Sequence, residues 1–343
     1  MAYTTIDNPT AYFDITLWST QDTSIDTLNF QPDWVWLKSR SNADTHVAFD
    51  SVRGVNKRLS PSETSQESTT SDELTAFNSD GFTLGTGDNV NRASQTMVAW
   101  SWLSGGSASS NSDGSITSSV SANTTAGFSI VSYTGTGSNA TVGHGLGVKP
   151  DWIINKTRDT TAQMWSVYHS SRGATKHLGL DRSNAEDTGS AYYQDTEPTS
   201  SVFSVGSEAA TNYSSAALIA YCFAEKKGYS KFGSYTGNGN ADGSFVYTGF
   251  KPAWLMIKRT DSGDGWLMID NKRVGFNGGN NVLEADVNSA EDSGVADRQD
   301  ILSNGFKLRS NWTKINASGG TYVYMAFAES PFVNSNGIPT NAR

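Results

Sequence analysis

The sequence predicts an all-β protein built from three tandem antiparallel β-sandwich repeats of about 100 residues each. Three observations carry this. One nine-residue phrase occurs three times, other landmarks follow it each time in fixed order, and apolar residues alternate with a period of two. The phrase is Phe30-Gln-Pro-Asp-Trp-Val-Trp-Leu-Lys38, then Val148-Lys-Pro-Asp-Trp-Ile-Ile-Asn-Lys156, then Phe250-Lys-Pro-Ala-Trp-Leu-Met-Ile-Lys258. A unit of this length is too long for a solenoid module and suits a small domain.

Each repeat opens with an aromatic segment and a turn: Leu17-Trp18-Ser-Thr, Tyr133-Thr-Gly and Tyr235-Thr-Gly. After the Pro-x-Trp phrase come Arg53-Gly54, Arg172-Gly173, and Arg273 followed by Val274-Gly275. Leu59, Leu178 and Leu283 are next, and Glu67, Glu186 and Glu291 follow them at one constant spacing. A turn and strand then recur as Asp80-Gly-Phe82-Thr-Leu84, Ser201-Val-Phe203-Ser-Val205 and Asn304-Gly-Phe306-Lys-Leu308. The closing strands are Val98-Ala-Trp-Ser-Trp102, Ile219-Ala-Tyr-Cys-Phe223 and Val323-Tyr-Met-Ala-Phe327.

Period two assigns faces. Trp34, Trp36 and Lys38 share one face, as do Trp152, Ile154, Lys156 and Trp254, Met256, Lys258. Val35 and Leu37, Ile153 and Asn155, and Leu255 and Ile257 form the other. The Trp face is expected to fill the sandwich core, with Lys at the strand exit. Facing it about 10 Å away would be the bulky face of the closing strand. No amphipathic helix of twelve residues is expected.

The predicted divisions are residues 1–104, a Ser/Gly-rich linker at 105–126, residues 127–227, residues 228–332, and a polar tail at 333–343. Within the linker, Ser104–Gly114 reads as flexible chain and Ser115–Ser121 as an extended edge strand. The short joint Lys226-Lys-Gly228 predicts a fixed contact between repeats two and three, with repeat one freer. The tail is expected to pack as extended chain or to stay mobile.

Charged residues are 17% of the chain, below the usual level of about 25%. Net charge is −9, which argues against wrapping a nucleic-acid backbone. One cysteine excludes an internal disulfide framework. No Cys or His spacing offers a zinc site. No apolar run suits a membrane span, and the N-terminus lacks a signal-peptide pattern, so a cytoplasmically made product without membrane insertion is expected.

Every chemical motif has a structural reading beside it. Glu67, Glu186 and Glu291 with Arg53, Arg172 and Arg273 are expected to brace loops as ion pairs, against a glycosidase reading that needs one cleft with paired acids. Cys222 aligns with Ser101 and Ala326, so the position asks for a small buried residue. His169 aligns with Asp50 and Asp270. His46, His144 and His177 show no metal spacing. Asn238–Gly243 lacks the acidic ligands of a calcium loop and reads as a turn. Gly143-His-Gly-Leu-Gly147 has no following helix to hold phosphate. No catalytic, cofactor or metal residue is assigned. Trp165, Tyr192, Tyr193, Tyr213, Trp266 and Trp312 lie outside the core-strand patterns and are the candidate binding surface.

The opening Met-Ala-Tyr-Thr-Thr-Ile, the recurring Pro-Asp-Trp and Asp-Gly-Phe-Thr-Leu, the stretch Ser112–Phe128 and Phe223-Ala-Glu-Lys-Lys-Gly228 resemble a repeat family of marine bacteriophage, including cyanophage, genomes. Members are described as tail-fibre-like or virion structural proteins. The resemblance implies jelly-roll-like, concanavalin-like modules and a non-enzymatic place on the virion, as a tail fibre or surface appendage. It implies other virion proteins as partners, a homo-oligomer with a trimer favoured, and host glycan or receptor as a ligand. The alternatives are a capsid decoration or tail-assembly protein without a receptor role, and a polysaccharide depolymerase.

Overall fold

The computed structural model describes residues 3–19, 21, 23–160, 162–273, 277–294 and 298–341. Thr20, of the first opening turn, and Val274-Gly275, of the third Arg landmark, lie outside the described residues, as do 342–343 of the tail.

The structure is all-β, with several antiparallel sheets. Three larger sheets share one strand order: the opening strand, then the closing strand, then the Pro-x-Trp strand, then the strand after it. In the first sheet these are Phe13–Trp18, Met97–Trp102, Trp34–Ser39 and Val47–Asp50. In the second, Phe128–Thr134, Ala217–Phe223, Trp152–Thr157 and Ser166–His169 occupy the same places. In the third they are Ser230–Thr236, Thr321–Pro331, Phe250–Arg259 and Trp266–Asp270. The register agrees in all three: Trp34 faces Trp102, Trp152 faces Phe223, and Trp254 faces Phe327.

The closing strand is therefore the hydrogen-bonded neighbour of the Pro-x-Trp strand, and does not stand across a core from it. Asp33 and Asp151 of the phrase explain part of this. Each donates its backbone N–H to the last residue of the closing strand, at 2.8 and 2.7 Å. Their carboxylates accept the N–H of Ser104 and of Glu225 just beyond it.

The face assignment needs a correction. The Trp faces are buried, but against one another. Trp34, Trp36, Trp100 and Trp102 share one apolar cluster with Trp152, Trp165, Tyr221 and Phe223, and with Trp254, Trp266, Met325 and Phe327. The opposite faces make three separate cores. Val35 and Leu37 pack with Ile25, Leu74 and Phe82 of a smaller sheet. Ile153 packs with Val142 and Phe203, and Leu255 and Ile257 with Val246 and Phe306. Each larger sheet thus buries both faces, which is why bulky residues stand on both sides of these strands. Asn155, the interruption on the face opposite Trp152, is satisfied there by the hydroxyl of Tyr133, which takes its amide hydrogen bond at 3.1 Å.

The three larger sheets meet around a common axis, in a closed ring and not in a row. Repeat one is not freer than the others, because it touches both. Trp34 stacks on Tyr221 with centroids 4.4 Å apart, and Phe13 stacks on Phe327 at 4.9 Å. Trp152 meets Trp266 edge-on at 5.9 Å, closing the third joint.

Of the stretch expected to be flexible chain, Ser109–Asn111 is strand, and the expected extended edge strand is found at Ser118–Asn123. Ser109–Asn111 and Ser118–Asn123 pair with each other, and the latter pairs with Phe128–Thr134, extending the second sheet. Described tail residues are seated: Val333 bridges Pro339, and Asn341 donates to Ser330 and Ser303 carbonyls. Helices among the described residues are short turns. Three of them end in buried Asn91, Asn212 and Asn316, whose amides donate to Gly85, Gly206 and Ser310 carbonyls.

Candidate functional site

The recurring polar residues converge on the three joints. His46, Trp165 and Trp266 stand at one register position, because Trp34, Trp152 and Trp254 pair with Asp50, His169 and Asp270. Each reaches the neighbouring repeat and bonds the carbonyl that follows the recurring Leu. Trp165 Nε1 donates to Ser60 O at 2.9 Å, Trp266 Nε1 to Gly179 O at 2.7 Å, and His46 Nε2 contacts Glu284 O at 3.1 Å. Trp36 Nε1 donates to His46 Nδ1, so the proton of His46 sits on Nε2, facing Glu284.

The recurring glutamates lie at the same joints. Glu67 takes a fork from Arg158 at 2.8 and 3.1 Å, and Glu291 takes one from Arg40 at 3.0 and 2.9 Å. Backbone contacts match: Glu67 N–H donates to Arg158 O, Glu291 N–H to Arg40 O, and Glu186 N–H to Thr260 O. All three run from one repeat to the next in the same sense, which is the geometry of a cyclic assembly inside one chain.

Behind each glutamate stands the arginine of its own repeat. Arg53 bonds Glu67 at 3.2 Å and pairs at 2.5 Å with Asp50, both pairing side chains being fully buried. Arg273 does the same with Glu291 and Asp270. Burial opposes charge on Arg53, yet Asp50, Tyr221 and Glu67 hold its pKa above the ordinary value. Burial likewise opposes charge on Glu67, and Arg158 and Arg53 overcome it, keeping its pKa low. The aspartates also receive a donor from a neighbouring repeat: Tyr221 Oη at 2.7 Å for Asp50, and Trp100 Nε1 at 3.1 Å for Asp270.

The joint between repeats two and three differs. His169 replaces the aspartate, and burial pushes its pKa down to about 3, so it is neutral. Arg172, without that carboxylate, turns both nitrogens onto Glu186. The arginine of the other joints is replaced by Thr260, and Met325 stands where Trp100 and Tyr221 donate. One negative and one positive charge are missing together, and each joint stays balanced.

A buried lysine ends each Pro-x-Trp phrase, and two of the three bond across a joint. Lys156 donates to Gln163 O at 2.5 Å and across the joint to Thr64 O at 3.0 Å. Lys258 bonds Asp264 O and, across the next joint, Ser183 O at 2.8 Å. Lys38 bonds Ser39 and Asn42 carbonyls instead. Burial lowers all three to about 8.

The six aromatics expected to form a surface do not come together. Trp165 and Trp266 are wholly buried in the central core, because their indole N–H groups serve the joints. Tyr193 is buried too, its hydroxyl bonded to Ser166. Tyr192 is half-buried and stacked on His177 at 3.5 Å. Trp312 lies under the Arg298 guanidinium at 4.1 Å, and Tyr213 is exposed. Cys222 is buried with a raised thiol pKa. Asn238 and Asn240 form a turn held by Asn316. Among the described residues, no group of three or more His, Cys, Asp or Glu is placed to hold a metal ion, and no helix is long and apolar enough to cross a membrane.

Sequence reasoning missed Arg40, Arg158 and His46. Their signal was present: His46, Trp165 and Trp266 precede Asp50, His169 and Asp270 at one offset, and Arg40, Arg158 and Thr260 follow the recurring Lys at one offset.

A family described as a domain of unknown function, DUF7483, matches residues 8–331. The chain belongs to that family. The match runs through all three repeats, so the family unit spans the whole ring. No curated protein and no solved structure matches the chain.

Proposed function

We propose that the chain is a non-enzymatic virion structural protein, serving as a tail fibre or surface appendage, with jelly-roll-like, concanavalin-like repeats as its building blocks. The observation that carries this reading is the use made of the recurring charged residues. Arg53, Glu67, Arg172, Glu186, Arg273 and Glu291, the best placed for chemistry by their recurrence, pair within their own repeats, and the glutamates bond the next repeat across each joint, Glu67 to Arg158, Glu291 to Arg40 and Glu186 through its N–H to Thr260. A chain that spends its repeated charges on closing a ring is built as a rigid block for assembly. The jelly-roll assignment is supported by each repeat having its opening and closing strands side by side in one larger sheet, backed by a smaller one.

Other virion proteins are the proposed partners. Several chains, three in the favoured arrangement, would multiply contacts to a host glycan or receptor. Antibody-gold labelling of purified particles tests the reading. Label on the tail or its fibres is the expected result, label on the capsid favours the decoration alternative, and unlabelled particles overturn it. Reducing-sugar release from host envelope by the pure protein would favour the depolymerase alternative.

A further inference from the structure

The opening strand is the edge of its larger sheet, and the three repeats treat that edge in three ways. An unpaired strand edge invites pairing with another chain unless it is blocked. In repeat one, the ladder directs the Ile15 N–H outward, since Tyr12 O accepts the N–H of Leu103. Asp14 folds back and accepts that N–H at 2.8 Å, blunting the edge with a carboxylate.

In repeat two the edge is covered. Ser118–Asn123 pairs along Phe128–Thr134, and Ser109–Asn111 pairs outside it. The same segment covers the smaller sheet: Ile116 bridges Val142 in parallel and donates its N–H to Thr141 O at 3.0 Å. Ile116 and Val120 are thereby buried, and Tyr133 is 4% exposed beneath them.

Repeat three has neither device. Ala328 N–H to Tyr229 O and Gly237 N–H to Gly320 O set the phase of its opening strand, so Ser234 and Thr236 turn their backbone groups outward, the Thr236 carbonyl accepting only a long bond from the Ser244 hydroxyl at 3.4 Å. Both are exposed; Ser230–Thr236 holds no proline and no acidic residue, and its one charged residue, Lys231, stands at a ladder-bonded position and is paired with Glu225 at 2.8 Å. In the smaller sheet Phe245 and Tyr247 hold the places of Thr141 and Gly143, since Val246 faces Phe306 as Val142 faces Phe203. Their backbone groups point away from the ladder, and their rings are 45% and 53% exposed, the Tyr247 hydroxyl meeting that of Tyr3 at 3.0 Å. Tyr235, the counterpart of Tyr133, is only partly buried.

We infer that the open side of repeat three, formed by Ser234, Thr236, Phe245 and Tyr247, is a strand-addition site that takes an extended segment of another polypeptide. The occupant is an uncharged Ser/Thr-rich stretch with interspersed β-branched residues. The chain itself identifies this chemistry, because its own Ile116-Thr-Ser-Ser-Val-Ser121 segment seats on the equivalent side of repeat two. Main-chain bonds would supply affinity, and Phe245 and Tyr247 would flank the added strand. This inference stands independently of any place on the virion.

The test uses the full chain and a synthetic peptide with the sequence of residues 115–123, read by amide hydrogen exchange. In the free chain, Ser234 and Thr236 amides should exchange at least tenfold faster than those of Ile130 and Ser132. Added peptide should slow Ser234 and Thr236 selectively and saturably. Ser234→Pro, which removes an outward N–H and no ladder bond, should abolish that slowing while the unfolding midpoint stays unchanged. Slow exchange at Ser234 in the free monomer would overturn the inference, as would millimolar peptide leaving these amides unaffected. Protection arising from self-association, lost on dilution and with Ser234→Pro, would overturn the choice of occupant.

Discussion

Glu67 and Arg158 belong to different repeats and form a two-bonded fork, while the Glu67 N–H also donates to the Arg158 carbonyl at 2.6 Å. Side chain and backbone are thus fixed by the same neighbour. Glu291 and Arg40 repeat the arrangement at the joint that returns to repeat one. The ring is closed by contacts between residues that are remote in sequence, so its integrity should depend on each joint.

Glu67→Gln should therefore cost about 1–3 kcal/mol, because it leaves both Arg53 and Arg158 short of a charged partner in a half-buried site. Urea unfolding measures it. Lys231→Ala, which breaks the exposed pair with Glu225, should stay within about 0.5 kcal/mol of the parent. Equal effects of the two substitutions would contradict a special role for the joint.

The joint between repeats two and three makes a sharper prediction. His169→Asp alone adds a buried negative charge, and Thr260→Arg alone adds a positive one beside Arg172. Each should destabilise, by about 1–3 kcal/mol. Together they rebuild the charge set of the other joints, so the double variant should lose less than the sum, with a coupling of at least about 1 kcal/mol. Met325 still offers no donor to the introduced carboxylate, so full recovery is not expected. Additive losses would show that the two replacements are unrelated.

What was readable from the sequence, and what was not, follows from the same geometry. The alternation of Trp34, Val35, Trp36 and Leu37 revealed a strand and its two faces, and the Trp face was assigned to the core, but the burial of the other face and the partner of each went unread. Period two distinguishes the sides of a sheet and says nothing of what covers them. Trp165 and Trp266 looked like surface candidates because they lie outside the longest apolar strands. Their burial depends on Ser60 and Gly179 of another repeat, a long-range pairing that local pattern cannot carry. In the stretch at 105–126 an edge strand at Ser115–Ser121 was readable, while the strand Ser109–Asn111 was hidden by a linker-like composition, since it depends on pairing with Ser118–Asn123. The Arg–Glu recurrence correctly pointed to bracing, while the second arginine, supplied by the next repeat, went unseen.

Stability should rise with pH above about 8. Lys38, Lys156 and Lys258 have folded pKa values lowered to about 8, against an ordinary 10.5. Above about 8 the folded chain releases these protons while the unfolded chain still holds them. The unfolded state binds more protons, so the burial penalty is relieved as pH rises. Buried Tyr221 and Tyr229 have raised pKa values, and ionisation of unfolded tyrosines near 10 works in the opposite direction. A urea midpoint that climbs from pH 8 to about 9.5 and then falls is expected. Lys156→Met should reduce the climb, and a flat profile in the parent would contradict the assignment.

A chain cut between Lys227 and Gly228 should reassemble. Residues 228–343 carry Trp254, Met256, Met325 and Phe327, which in the intact protein face only the common core. Expressed alone, that piece exposes a continuous aromatic face and should aggregate or self-associate. Co-expressed with residues 1–227, it regains Trp102, Phe13 and the Arg40–Glu291 fork on one side, and Trp152 and Thr260–Glu186 on the other. The two pieces should co-elute as a one-to-one complex at the size of the intact chain, and Arg40→Ala should weaken it. A soluble, folded monomer of residues 228–343 would mean that its Trp face needs no neighbour, and that the shared core is not what holds the ring.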